Sequence, residues 1–594
     1  MTEYTAPLRD VSFALSHIAE IDTISTFPGY EDATADICSA IIEEAGKFAE
    51  QVLAPINQSG DQQGCRIENG VVYTPDGFKE AYQQMTDAGW HGISLPQEYG
   101  GQGLPFALSI AASEMWSSAN MAIMLTPQLI QSSTELLYKH ASDSQKDTYL
   151  PNIVSGKWAT TMNLTEPQAG TDLNLLRTKA VPEDDHYRIS GQKIFITGGD
   201  HDLTENIIHL VLARLPDAPE GLKGISLFLV PKFLVNDDGS LGPRNDVKVV
   251  SIEHKLGIHG SPTCVMSYGD DEGAIGYLIG EENQGLLGMF TMMNLTRLLV
   301  STQGSAIGER AFQRAATYAK ERLQGSDKSG NTVAIINHPD VKRMLLDMKS
   351  KTEASRNIGI YTAACIDRSK RAPDEAQQAL YRSRTELLTP VAKAWSTNIG
   401  IDIASTGIQI HGGNGYVEET GAAQYLRDIR IAAIYEGTNG VQAKDLVGRK
   451  IIRDEGQTLT TLAKEIDEFA DGLSQSDDAA LNKIGSQLGE AVTHLTEATS
   501  WIMKTGDDNL EAVLSSAAKY LELLGNVIAG WLLAKSAACA AELIGEGGLD
   551  DGFLSGKIAT CRYFSDHQLA LCASLKAVIV DGANSIVDFD KEWL

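Results

Sequence analysis

Apolar residues recur at three- and four-residue spacing through DATADICSAIIEEAGKFAEQVL, which begins at Asp32, and again through LSIAASEMW, which begins at Leu108. That is the spacing of one buried helix face, so the chain is expected to open helically. The stretch GGQGLP, starting at Gly100, breaks the pattern as a turn. Between about Trp158 and Gly280 the texture shortens to YRISGQKIFITGG, IIHLVLARL, GISLFLVPKFL and KVVSIEHKLGI. These runs, separated by Gly, Pro, Asn and Asp, read as strands. Helical periodicity returns near Gln284 and continues through VKRMLLDMKSKTEASRNIGIYTAACI and ELLTPVAKAWSTNIGIDIASTGIQI, long enough to pack as a bundle. After Arg453 come further Ala- and Leu-rich helical segments. The expected fold is mainly α with an inserted β domain. Its four segments are a helical 1–157, a β-rich 158–280, a helical bundle 281–453 and a further helical 454–594.

With 594 residues the chain exceeds one hydrophobic core and suggests three or four packed units. Its 43% hydrophobic and 21% charged content is that of an ordinary globular protein. Against 49 basic side chains stand 78 acidic ones, a net charge of -29, which argues against nucleic acid or an anionic membrane surface as a partner. The seven cysteines form no CxxC pair and no metal-like spacing, so no metal site is expected and a reducing cytoplasm fits. MTEYTAPLRD lacks the basic and apolar regions of a secretory signal. LLGNVIAGWLLA (523–534) is short for a membrane span and reads as a buried helix.

The most specific chemistry lies in AAIYEGTNGVQ (432–442), where one acid, Glu436, stands between an aromatic residue and a Gly-Thr-Asn turn. Burial raises a carboxylate's pKa toward the operating pH, which suits a general base. Taken alone, a Glu before Gly is more often a helix-end or turn residue.

TMNLTEPQAGTD (161–172), GQKIFITGG (191–199), YAKERLQG (318–325), QIHGGNGY (409–416) and YEGTNGVQ (435–442) together resemble the acyl-CoA dehydrogenase family, in that family's order. The resemblance covers roughly residues 30–450. It implies a helical N-terminal domain, a β-barrel-like middle domain and a helical bundle. It also implies FAD-dependent oxidation of an acyl-CoA to a trans-2-enoyl-CoA. Glu436 would be the catalytic base, with Gly437 beside the substrate. Met162, Leu164 and Thr165 would line the flavin, Phe195 and Thr197 would lie against its ring, and Arg322 would hold the pyrophosphate. Gln409 and Gly413 would reach FAD across a homodimer interface, and Thr438 and Asn439 would complete the cofactor contacts. Thr171 and Arg297 would serve the CoA side, Thr171 also bordering FAD. The helix bearing Asn294, Thr296 and Arg297 carries no competing acid there. Electrons would pass to an electron-transfer flavoprotein.

Two positions depart from the family pattern: Gln324-Gly325 replaces an aromatic position, and Gly440 stands where many members carry a larger residue. The extra C-terminal helices, with DAGWHGISLPQEYGGQGLP and KLGIHGSPTC, are similar to a long bacterial subgroup. Its substrates leave 3-methylmercaptopropionyl-CoA and ordinary fatty acyl thioesters open. Rival readings are an acyl-CoA oxidase, a catalytically silent flavoprotein and a nucleic-acid-associated homologue. The last would need a basic surface, whereas the chain after Asp454 is rich in acids.

Overall fold

The computed structural model describes residues 4–236 and 238–594. The chain forms two compact units, neither continuous in sequence: residues 47–104 with 119–299, and residues 1–46 with 105–118 and 300–594.

The first of these units is built on an eight-stranded sheet. Its strand order is Val247–Ile252, Thr263–Tyr268, His186–Thr197, Ala274–Leu278, Ser226–Pro231, Asn206–Ala213, Trp158–Asn163, with Lys179–Glu183 paired to His186–Thr197. Trp158–Asn163 runs parallel to Asn206–Ala213 and the other pairs are antiparallel. Asn206–Ala213 and Ser226–Pro231 are buried at every position, which is why IIHLVLA, interrupted only by His209, and LFLV read as apolar runs rather than alternating ones. Ile189, Ile196, Val211, Phe228, Val230 and Met266 form the core between them. The run KVVSIEHKLGI is strand only as far as Ile252. Beyond it the backbone turns back on itself, with Lys255 donating to Ser261 O and His259 packed against Lys255 O.

The second unit is helical. Pro339–Arg371 and Glu375–His411 pair as long helices, followed by Gln457–Ser474, Ala479–Gly506, Leu510–Leu543 and Asp551–His567. The helix Phe106–Ala119 gives this unit residues 106–118 through two anchors. Asp367 accepts from Phe106 N (2.8 Å) and Ala107 N (2.9 Å), satisfying two of the amides that a helix start leaves unpaired. Arg356, fully buried, donates to Glu114 (2.8 Å) and Glu309 (2.7 Å). The segment Leu523–Ala534 is buried inside Leu510–Leu543. Among the described residues that is the one helix long and apolar enough to cross a membrane, and 83% of its most apolar window lies inside the fold.

Candidate active site

In the sheet unit, Lys193 pairs with Met266 and Ile196 with Cys264, so Ile194 and Phe195 together oppose the single residue Val265. A bulge of this kind kinks a strand and re-aims one side chain. Here it sets Phe195 at φ 60°, left-handed for a residue with a Cβ, and leaves its ring 61% exposed. Ile194 N donates to Thr165 O (3.0 Å), which ties the bulge to the loop after Trp158–Asn163.

Below the bulge sits an ion pair. Lys193 Nζ donates to Glu166 Oε1 (2.9 Å) and Leu164 O (3.0 Å), and both side chains are buried. Glu166 also accepts from Thr178 N, Thr178 Oγ1, Arg177 N and Gln168 Nε2. Burial works to raise the Glu166 pKa, but the Lys193 charge and these donors outweigh it and bring it down to about 2. The pair therefore pins Leu164 and Thr165 against the bulge that carries Phe195 and, two residues on, Thr197. Met162 and Thr197 are part-buried nearby in the same strands, while Thr171 is exposed on the following loop. Arg297 is buried on the helix Gly285–Glu321 and donates to Asn294 Oδ1 (3.1 Å).

In the helical unit, Glu436 is half-buried at φ 58° and Gly437 follows at φ 83°. Thr438 ends the turn by accepting from Val441 N (3.2 Å), the cap of the short helix Asn439–Asp445. Asn439 docks that helix onto Glu375–His411, its Nδ2 donating to Thr397 Oγ1 (3.0 Å) and Asn398 Oδ1 (2.7 Å). Tyr435 bonds Gln303, and burial, reinforced by the Glu436 charge, pushes its phenol well above the ordinary range. Gly437 O and Glu436 O accept from two buried side chains that sequence reasoning did not single out, Lys393 and Gln442.

The ends of two long helices meet elsewhere in this unit. Tyr318 and His411 stack with centroids 4.5 Å apart, and Asn414 Nδ2 donates to Tyr318 Oη (3.2 Å). Arg322 lies exposed just past Glu321, four residues beyond Tyr318, and Gln409 and Gly413, both exposed, flank His411. A Cβ on Gly413 would meet nothing within 4 Å, whereas one on Gly415 would lie 2.4 Å from Ile408 O. The chain itself thus accounts for glycine at 415 and leaves 413 to be explained from outside. The five residues about the bulge form one cluster and Glu436–Asn439 a second, while Arg322, Gln409 and Gly413 lie at the helix ends that the Tyr318–His411 stack joins.

The sequence matches the family "acyl-CoA dehydrogenase, N-terminal domain" over residues 38–157, the middle domain over 161–270 and the C-terminal domain over 283–451. Residues 462–590 match "acetyl-CoA dehydrogenase C-terminal like". The chain is 44% identical over 588 residues to a 3-methylmercaptopropionyl-CoA dehydrogenase of Ruegeria pomeroyi, covering 98% of this chain and 99% of that one. A broad-specificity linear acyl-CoA dehydrogenase of Mycobacterium tuberculosis is 33% identical over 612 residues, covering 100% of both. In structure, an acyl-CoA dehydrogenase from Bacillus anthracis complexed with FAD shares the fold, with a TM-score of 0.74 at 20% identity over 97% of this chain and 93% of the other. The chain belongs to the acyl-CoA dehydrogenase family. It is accordingly an oxidoreductase of acyl-CoA thioesters, with an added helical region at its C-terminal end.

Proposed function

We propose that this chain catalyses FAD-dependent α,β-dehydrogenation of an acyl-CoA to its trans-2-enoyl-CoA, with Glu436 as the general base. The observation that carries the reading is the Glu436 turn: a part-buried acid on strained backbone, held by side chains of its own unit. Strain of this kind persists where the surroundings over-determine it, and it gathers at active sites.

The residues present fit FAD. An aromatic ring 61% exposed on a bulge, as Phe195 is, suits a flat heteroaromatic partner. Arg322 offers a forked, permanently charged donor for a pyrophosphate, and the open space at Gly413 admits a ligand's close approach. Leu164, Thr165 and Thr197 would meet the flavin edge, with Met162 beside them, and Gln409 and Thr438 would complete the hold. Asn439 spends its amide on the neighbouring helix, so its contribution would come through the backbone. When bound, FAD supplies the hydride acceptor.

The chain's own part is proton chemistry and orientation. The Glu436 carboxylate takes the α proton of the thioester while its backbone N–H polarises the thioester carbonyl, so charge developing on that oxygen meets a donor. The β hydrogen leaves with its electron pair, and the product carries a trans double bond. Arg297 and Thr171 are the donors offered to the CoA side. The substrate we place first is 3-methylmercaptopropionyl-CoA, on the strength of the 44% relative, ahead of linear fatty acyl thioesters. An electron-transfer flavoprotein is the acceptor in this reading, and the seven free cysteines support a cytoplasmic setting. A homodimer would cover Tyr416, 87% exposed beside Gly413.

Anaerobic titration of the holoenzyme with 3-methylmercaptopropionyl-CoA, butyryl-CoA and palmitoyl-CoA tests the reading through the flavin absorbance. Bleaching by one thioester, slowed by several orders of magnitude in Glu436→Gln with FAD retained, is the expected result. Wild-type reduction rates in Glu436→Gln would remove the residue from the mechanism.

A further inference from the structure

Two consecutive left-handed residues make the turn that presents Glu436, at φ 58° and 83°. The first carries a Cβ, which crowds the following carbonyl in this conformation, so the turn needs restraint from outside itself. Two fully buried side chains supply it. Lys393 Nζ, on the helix Glu375–His411, donates to Gly437 O (2.9 Å) and to Asn439 Oδ1 (2.9 Å). Gln442 Nε2, on the helix Asn439–Asp445, reaches Glu436 O (3.2 Å) and Gly437 O (3.3 Å). Donors from two helices thus converge on Gly437 O, and the Gln442 amide also takes hold of Glu436 O.

Both side chains sit where a hydrophobic one would cost less. Lys393 lies in a helical run from Leu387 to Thr397 whose every member is buried. The Gln442 Oε1 is buried with no hydrogen-bond partner among the described residues, so half of that amide is spent to deliver its nitrogen. A buried orphan acceptor is unfavourable, and its presence beside a strained functional turn is explained if the nitrogen's two bonds matter more.

We propose that Lys393 and Gln442 are positioning residues that lock the Glu436–Gly437 turn in its left-handed form and thereby fix the direction in which the Glu436 carboxylate leaves the backbone. The inference rests on Glu436 being the base. Proton abstraction requires the carboxylate oxygen to approach the α carbon in a narrow range of geometries, and a displacement of about 1 Å can cost on the order of 100-fold in rate. Neither side chain is required to touch substrate or cofactor for this effect.

The test uses holoenzyme variants Gln442→Met and Lys393→Met beside Glu436→Gln, with 3-methylmercaptopropionyl-CoA and butyryl-CoA as probes in anaerobic stopped flow. Gln442→Met is of similar shape and removes the orphan oxygen, so it keeps the question open to measurement even where Lys393→Met fails to fold. The expected result is retained FAD and melting temperature in Gln442→Met, with flavin reduction slowed roughly 10- to 100-fold. Half-saturation by thioester should stay nearly constant, and the kinetic isotope effect from α-deuterated substrate should rise, a signature that mere loss of packing would not produce. If Glu436→Gln is slow while Gln442→Met keeps the wild-type rate and isotope effect, the positioning role is overturned and the base reading stands. If Glu436→Gln reduces flavin at the wild-type rate, the base reading falls and this inference with it.

Discussion

Lys193 Nζ and Glu166 Oε1 lie 2.9 Å apart in a buried ion pair that also takes hold of Leu164 O. Breaking such a pair leaves an uncompensated charge inside the protein, at a cost of about 3–5 kcal/mol. Lys193→Met should therefore lower unfolding stability by that order and release FAD from the purified protein. Adding Glu166→Gln to the same chain should recover part of the stability, because the remaining buried group is then neutral and its one amide oxygen still accepts from either Arg177 N or Thr178 N, which in wild type donate to different carboxylate oxygens. Chemical denaturation of the two variants side by side measures both effects, and equal stability of single and double variant would contradict the coupling.

Substitutions at Gly413 and Gly415 test the proposed cofactor contact at 413 apart from packing. Gly415→Ala places a Cβ 2.4 Å from Ile408 O and should destabilise by about 1–3 kcal/mol. Gly413→Ala meets nothing within 4 Å and should leave apoprotein stability within about 0.5 kcal/mol. Its effect should appear in FAD retention on gel filtration. A Gly413→Ala protein that holds FAD as firmly as wild type would exclude a close ligand at that backbone.

Phe195 carries strain that glycine would not. Phe195→Gly relieves a left-handed cost of about 1–2 kcal/mol. It adds chain entropy to the unfolded state worth about 0.5–1 kcal/mol. Apoprotein stability should thus change little, while the proposed stacking of this ring on the flavin predicts FAD binding weakened by up to roughly tenfold. Titration of apoprotein with FAD, followed by flavin fluorescence, distinguishes this from a simple folding defect.

Three buried histidines set the acid limit of the sheet unit. Burial pushes His91 and His209 down to about 3 and His201 to about 4. The neutral form is thus favoured in the fold, and the unfolded chain takes up protons first as pH falls. The contribution to stability is complete above the unfolded value near 6.5 and declines as pH drops from there toward the folded values. Each histidine should contribute a slope of about 1.4 kcal/mol per pH unit within that window. Denaturation between pH 7 and pH 5 should show the loss, and His209→Asn should flatten it; a slope unchanged in that variant would assign the effect to other groups.

Much of the architecture was legible because periodicity is a direct image of burial. The run IIHLVLA carries no polar alternation, and its strand is covered on both faces. Glu436 drew notice as a lone acid between an aromatic residue and a Gly-Thr-Asn turn, but its role as a base came from the family resemblance, since a Glu before Gly is by itself more often a turn residue. Lys193 and Lys393 passed unnoticed because a lysine is ordinarily a solvated surface residue. Their signal was positional: Lys193 shares the inward parity of Ile189, and Lys393 is the one charged residue in the run Leu387–Thr397. Phe195 was read as a ring against the flavin, but its exposure depends on a bulge, and two residues opposing one on a partner strand leave no mark in the sequence of either.

The anchoring of Phe106–Ala119 has a consequence for synthesis. Glu114 waits for Arg356, which lies 242 residues later, and Phe106 N waits for Asp367, 261 residues later. At roughly 5–20 residues per second, the ribosome needs on the order of 10–50 seconds to deliver those partners. Throughout that interval the nascent helix carries an acid and two helix-start amides whose final partners do not yet exist, so it cannot dock as it does in the finished protein. Slowing or stalling translation between these positions should therefore expose this helix to chaperones and proteases while the sheet unit, complete by residue 299, is already free to fold.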